Sequence, residues 1–301
     1  MRRSSVLSRR QTRKGLAFAS PFVIGFAVLF AFPIVASAYY SFTDFNLFQS
    51  PNWVGMDNYS RLLSDDRFWQ ALANTLLLTV IGVPTTILVA LGGAHLLNFP
   101  VRGQPLFRAV AYLPSIVPVV VGGYLWRWLL NAQYGFINHF LGLLGIPAPA
   151  WLQEPEWARG AVVIMALWTV GGTMIIFLAA LKDVPAHLYE AASLDGAGPW
   201  RRFRHITWPT ISPVTQFQII VVVLAYLQIF TQPFLLAQER LGSTSYGPGE
   251  SLVTYATYLF QKAFVFLDMG QASAMAWMLF VVSMAITAVV LLSSRKWVHH
   301  D

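Results

Sequence analysis

Six long stretches of this chain carry no charged residue: residues 16–42, 71–98, 109–126, 161–181, 210–237 and 269–294. A helix needs about 20 apolar residues to cross a bilayer. Inside lipid, backbone N–H and C=O groups find partners only within a helix or a closed barrel. Stretches this long and this apolar therefore predict helices that span. Charged residues make up only 11% of the 301 residues, against about 25% in soluble domains. That is too few to cover a soluble surface of this size. The expected fold is an all-α membrane protein with six transmembrane helices.

Two further uncharged or weakly charged segments do not read as spans. Residues 128–153 include Asn131, Gln133, Asn138, His139, Gly142, Gly145, Pro147 and Pro149. This composition predicts a loop with a short interfacial helix at residues 136–144. Residues 241–249 read as a Gly/Ser/Pro turn. The basic segment 1–15 precedes a long apolar run with no small-residue cleavage pattern, which reads as a retained first span.

Lys and Arg stay on the cytoplasmic side of a membrane. With the N-terminus inside, Arg2, Arg3, Arg9, Arg10, Arg13, Lys14, Arg102, Arg108, Lys182, Arg201, Arg202, Arg204, Arg295 and Lys296 fall inside. Arg61, Arg67, Arg127, Arg159, Arg240 and Lys262 fall outside, a split of 14 to 6. Both termini are thus expected in the cytoplasm, with a six-helix domain over residues 16–295 and a tail at 296–301. The loop between helices 4 and 5, residues 183–209, is then cytoplasmic. The net charge of +7 reads as a topology signal, not a nucleic-acid surface.

That loop is the most ordered polar segment of the chain. Pro185 can open a helix, and residues 186–194 read as a short amphipathic one. Gly196 suits the left-handed residue that ends a helix, and Pro199 blocks its continuation. Residues 200–205 read as a second short helix, after which Pro209 and Pro213 are expected to turn the chain into the fifth span. Glu190, Ala191, Ala192, Asp195, Gly196 and Ala197, with Phe203, Ile206, Pro209 and Pro213 downstream, follow the spacing E-A-A-x-x-D-G-A-x(5)-F-x-x-I-x-x-P-x-x-x-P.

This pattern resembles the EAA loop of binding-protein-dependent ABC importer permeases. In that family the loop is the coupling helix that sits in a groove of the ATPase. The resemblance extends over nearly the whole chain. Residues 134–138 (Tyr-Gly-Phe-Ile-Asn), Trp151-Leu152, Trp168, residues 182–185, 246–249 and 270–274 resemble the carbohydrate-uptake branch, as do Phe32-Pro33, Ser41-Phe42 and residues 53–59. Trp208 and Ser245-Tyr246 depart mildly from it. The resemblance implies that Glu190 pairs with a basic group of the ATPase or caps the loop, that Gly196 is the required turn, and that Asp195 braces it. It implies a second related permease, two ATPase subunits that bind the ATP and magnesium, an extracytoplasmic solute-binding protein and a sugar as cargo. No cofactor is expected on this chain itself.

Other classes are less compatible with the residues. No Asp or Glu lies in any of the six stretches, whereas ion-coupled carriers usually keep an ionisable group inside the membrane. No P-loop, no cysteine and no metal-ligand motif is present, so neither an ATPase nor a membrane enzyme is indicated. A permease of the same superfamily for a polyamine or phosphate is the alternative reading. In the fifth span, Gln228 with Gln232 and Tyr226 with Phe230 recur at helical spacing. Amides meet sugar hydroxyls and aromatic rings stack on sugar faces, so these four residues are the candidates for the solute path. Ordinary packing between helices explains the same spacing.

Overall fold

The computed structural model describes residues 3–100, 102–237, 246–295 and 297–298. Arg2, Arg240, Lys296, His299, His300 and residues 241–245 lie outside the described residues. Those described form helices joined by turns, with no strand beyond one isolated bridge between Thr43 and Trp53. Four helical stretches are long and apolar enough to cross a membrane: Lys14–Tyr40, Asp66–Asn98, Pro199–Ala237 and Met269–Ser294. Two bent helix pairs pass the same test together, which gives up to six spans. The chain folds as two compact units, residues 1–64 with 262–278, and residues 65–261 with 279–301.

In the first unit, α1 (Arg3–Phe26) and α2 (Phe32–Tyr40) are joined by a π turn over Ala27–Ala31. Pro33 explains the turn. Proline has no N–H to offer and its ring collides with the carbonyl four residues back. The wider turn, in which Phe32 N–H reaches Ala27 O, lets the helix continue past it. The end of this helix is clasped by polar bonds. Asn58, on α3 (Asp57–Leu63), donates to Ser41 O at 3.0 Å and Thr43 O at 2.8 Å. Gly270, on α15 (Met269–Ser294), lies flat on the Thr43 carbonyl, where any Cβ would overlap it. Its N–H reaches Phe45 O at 3.0 Å.

The second unit is built on α4 (Asp66–Asn98), whose 33 residues extend for about 50 Å. α5 (Gln104–Ile116) and α6 (Val119–Leu129) form one bent pair, with a 97° angle. α8 (Pro155–Trp168) and α9 (Gly171–Lys182) form the other, bent by 50°. The stretches 109–126 and 161–181 are thus bent helix pairs. Pro118 forces the first bend, because it holds Val117 extended at φ −66° and ψ 128°. The second lies just before Gly171, which sits against the backbone of α5. A Cβ there would come within 2.6 Å of Ala111 O. Between the two pairs, α7 (Phe136–Leu143) is the expected short helix.

α10 (Ala186–Leu194) and α11 (Pro199–Arg202) follow α9. The chain does not turn at Pro209 and Pro213 as expected. A π turn over Phe203–Thr207 runs from α11 straight into α12 (Trp208–Leu227), with Trp208 N–H bonded to Phe203 O. Pro209 is absorbed as Pro33 is, one residue past the same kind of bond. α12 stops at Leu227, and α13 (Thr231–Ala237) resumes after a break. Pro233 explains this break too. In a continuous helix its nitrogen would have bonded Ile229 O, and its ring would press on that carbonyl.

α14 (Tyr255–Phe260) and the turn before it are tied to the start of α4. Arg67 binds Glu250 through two nitrogens, at 2.8 and 3.0 Å. Asn74 donates to Glu250 O and Val253 O at 3.0 and 2.9 Å. The Tyr258 hydroxyl donates to the Asp65 carboxylate. Burial, reinforced by that carboxylate, holds the Tyr258 phenol well above its usual pKa, so it stays a donor.

Candidate functional site

The break in α12–α13 opens onto a cavity of about 360 Å³. All four candidates from the sequence line it: Tyr226, Gln228, Phe230 and Gln232. Their spacing sets them as two pairs, Gln228 with Gln232 and Tyr226 with Phe230, and the interruption of the helix between the members of each pair brings all four to one cavity. Tyr226 lies in the last turn of α12, Gln228 caps it, Phe230 stands just before the restart and Gln232 within it. Gln228 is exposed, Phe230 and Gln232 are half-buried, and Tyr226 is 4% exposed.

Tyr226 is held from two sides. Its hydroxyl lies 3.2 Å from Thr86 Oγ1. Its ring rests on Gly82, where a Cβ would overlap the ring carbons. Only glycine on α4 permits this approach. The lining also includes threonines that the sequence did not single out: Thr169, whose hydroxyl donates to Ala166 O at 2.9 Å, Thr173 beside the bend of α8–α9, and Thr231. No lining residue of this cavity carries a formal charge at neutral pH. The wall therefore offers hydroxyls and amides, beside the Phe230 ring, which stacks on Phe234 at 5.0 Å and tilts against Phe260 at 5.2 Å.

The break is stabilised from outside the cavity. Thr254, fully buried, donates its hydroxyl to Ile229 O at 2.9 Å. It also caps α14 by accepting from Thr257 N–H. One side chain thus satisfies the carbonyl that Pro233 leaves without a helical donor.

The second candidate surface is α10. Its end forms a tight left-handed cap. Ala197 N–H bonds Ala192 O at 2.9 Å and Gly196 N–H bonds Ser193 O at 3.1 Å, the six-to-one and five-to-two pair of a Schellman turn. Gly196 has φ +71°, the left-handed conformation expected of it. Arg202 Nε donates to Ala197 O at 2.7 Å, and Tyr189 OH lies 2.7 Å from Thr207 Oγ1. Those two bonds pin the loop to the helix that follows. Glu190, Ala191, Asp195 and Gly196 are exposed, and Ala192 is half-buried. The carboxylates of Glu190 and Asp195 form no hydrogen bond or ion pair among the described residues. Leu194, 91% exposed, and Trp200, 71% exposed, complete an uncovered ridge. Beside it, a cleft of about 660 Å³ is lined by Leu88, His95, Phe99, Tyr189, Trp200 and Phe203, among others.

A broken span, a polar uncharged cavity and a rigidly capped helix outside the spans fit a protein of the transport class. Sequence comparison narrows this. Residues 82–299 match the family described as "Binding-protein-dependent transport system inner membrane component", and the chain belongs to that family. It is 36% identical over 296 residues to a probable ABC transporter permease protein, YesP of Bacillus subtilis, covering 97% of this chain and 94% of that one. It is 34% identical to the sulfoquinovosyl glycerol transport system permease protein SmoG of Agrobacterium fabrum, covering 90% and 87%. Its fold matches a solved bacterial ABC transporter chain involved in the import of the acidic polysaccharide alginate, with TM-score 0.79, 23% identity and coverage of 96% and 98%.

Proposed function

We propose that this chain is one of two membrane-spanning subunits of an ATP-driven sugar importer, and that the cavity at the α12–α13 break forms part of its solute path. The observation that carries this reading is the convergence of Tyr226, Gln228, Phe230 and Gln232 with threonine hydroxyls around one uncharged cavity. Amides and hydroxyls that both donate and accept suit a polyhydroxylated cargo. The permease relatives support the transport role, and the names of two of them, a lactose and a trehalose/maltose transport permease, support a sugar as cargo. A polyamine permease would need carboxylates on this wall, and the cavity has none.

In this reading six spans cross the membrane with both termini in the cytoplasm. The segment 183–209 is the coupling loop, set between residues 1–15 with the first four spans and the last two spans with the 296–301 tail. The exposed ridge of Glu190, Ala191, Ala192, Asp195 and Gly196 docks in a groove of a separate ATPase subunit, which binds ATP and magnesium. A solute-binding protein delivers the sugar at the opposite face. Closure of two ATPases moves α10, and the capped turn at Gly196 passes that motion to α11 and α12 as a rigid piece.

The test is reconstitution in vesicles with the second permease, the ATPase and the binding protein. Sugar accumulation should require ATP and persist when ion gradients are collapsed by ionophores. Accumulation driven by an ion gradient without ATP rules the reading out.

A further inference from the structure

We infer that the natural cargo is a neutral mono- or oligosaccharide, not a sugar acid, sugar phosphate or sugar sulfonate. This rests on the cavity as part of the solute path and goes beyond it by fixing the charge class of the cargo. The cavity wall has the hydroxyls of Thr86, Thr169, Thr173 and Thr231 and the amides of Gln228 and Gln232, with no cation among its lining residues.

The nearest cations along each wall element are well removed. Arg127 is eight residues beyond Val119 on α6, and Arg159 is seven residues before Ala166 on α8, both about 10–12 Å along the helix axis. Lys182 is nine residues beyond Thr173 on α9, about 13 Å away by the same rise, and the only Lys or Arg on α4 is Arg67, nineteen residues before Thr86. Neither α12 nor α13 carries a charged residue.

An anion entering such a cavity loses its water shell and gains no counter-charge. It also wants donors alone, whereas every polar side chain here offers an acceptor as well. A neutral sugar hydroxyl both donates and accepts and matches this wall. Phe230, half-buried and stacked on Phe234 at 5.0 Å, adds an uncharged apolar surface to the lining. The inference sets this chain apart from its relative named for a sulfonated sugar and from the fold neighbour that imports an acidic polysaccharide.

The experiment uses the complete transporter with its binding protein in vesicles. A mixture of size-matched neutral and acidic oligosaccharides is offered, including galactobiose with digalacturonate and galactotriose with trigalacturonate. Mass spectrometry identifies what accumulates on ATP addition. A Gln228→Cys variant is then labelled with a water-soluble maleimide, with and without the imported solute. The expected result is uptake of neutral sugars at least tenfold over their acidic counterparts, with the imported sugar slowing labelling at position 228. Preferential uptake of the acids overturns the inference and leaves the importer reading intact. Uptake without protection at position 228 also overturns it, since the cavity then does not meet the cargo. Active ATP hydrolysis with no saccharide accumulated overturns the sugar reading itself, and this inference with it.

Discussion

The hydroxyl of Thr254 holds the carbonyl of Ile229 at 2.9 Å, and this bond joins the turn before α14 to the break that shapes the cavity. Pro233 creates the need for it by withholding the N–H that a regular helix supplies. Thr254→Val leaves a buried carbonyl unpaired, a loss of about 1–3 kcal/mol. Thr254→Ser keeps the hydroxyl and is expected to behave almost as the native protein. Thr257→Val loosens the cap of α14 but not the bond to Ile229. Thermal unfolding of the purified chain in detergent should rank Thr254→Val well below Thr254→Ser. Equal midpoints for those two would show that the Ile229 carbonyl has another donor.

The approach of Tyr226 to Gly82 gives a second expectation. A side chain on Gly82 overlaps the tyrosine ring and drives it off Thr86 into the cavity. Gly82→Val is expected to cost about 1–3 kcal/mol through overpacking and to suppress uptake. Gly172→Ala is the control, because nothing lies within 4 Å of the added methyl. Uptake and unfolding measured on both variants decide the matter. Equal behaviour of the two would mean that Tyr226 moves aside without consequence.

How much of this was legible in the sequence follows from the range of each interaction. The spans are long apolar runs, a local signal, and all of them fall on helices. The cap at Gly196 is also local and takes the conformation that its position after α10 demands. The bends and the break were harder. Prolines and glycines inside the apolar runs, Pro118, Gly171 and Pro233 among them, point to kinks, but Pro233 acts four residues upstream of itself, so the sequence does not place the interruption at Gln228. Thr254 lies 25 residues from its partner Ile229, and no periodicity connects them. Thr86 was hidden for another reason. Threonines in apolar helices commonly bond the carbonyl one turn back, as Thr75, Thr79 and Thr85 do here. A hydroxyl turned toward a cavity looks the same in the sequence. The four path candidates were selected on helical spacing, yet they meet because the helix is broken.

Topology is open to direct measurement. The 14-to-6 division of Lys and Arg predicts that both termini and α10 lie in the cytoplasm. Reporter fusions after Lys14, Ser193 and Arg295 should all report that side, and a fusion after Gln153 the opposite one. An external signal at Ser193 would remove the docking role of α10, because no ATPase reaches that face.

The exposed ridge of α10 supplies the last expectation. Glu190 and Asp195 lie open to solvent with no internal partner among the described residues, so changing Glu190 disturbs little in the isolated chain. Glu190→Lys reverses the charge that α10 presents to the proposed ATPase groove while leaving unfolding of the purified chain within about 0.5 kcal/mol, as is usual for surface sites. Gly196→Pro acts differently. Proline holds φ near −65°, whereas Gly196 sits at +71°, so the cap cannot form and α10 loses its fixed angle to α11. Both variants should insert in the membrane, and both should lose transport by at least tenfold. They should separate in a pull-down: Glu190→Lys weakens ATPase recovery in a salt-dependent way, since the lost term is electrostatic, while Gly196→Pro weakens it at every salt concentration. Normal transport in both would reduce α10 to a surface helix with no part in coupling.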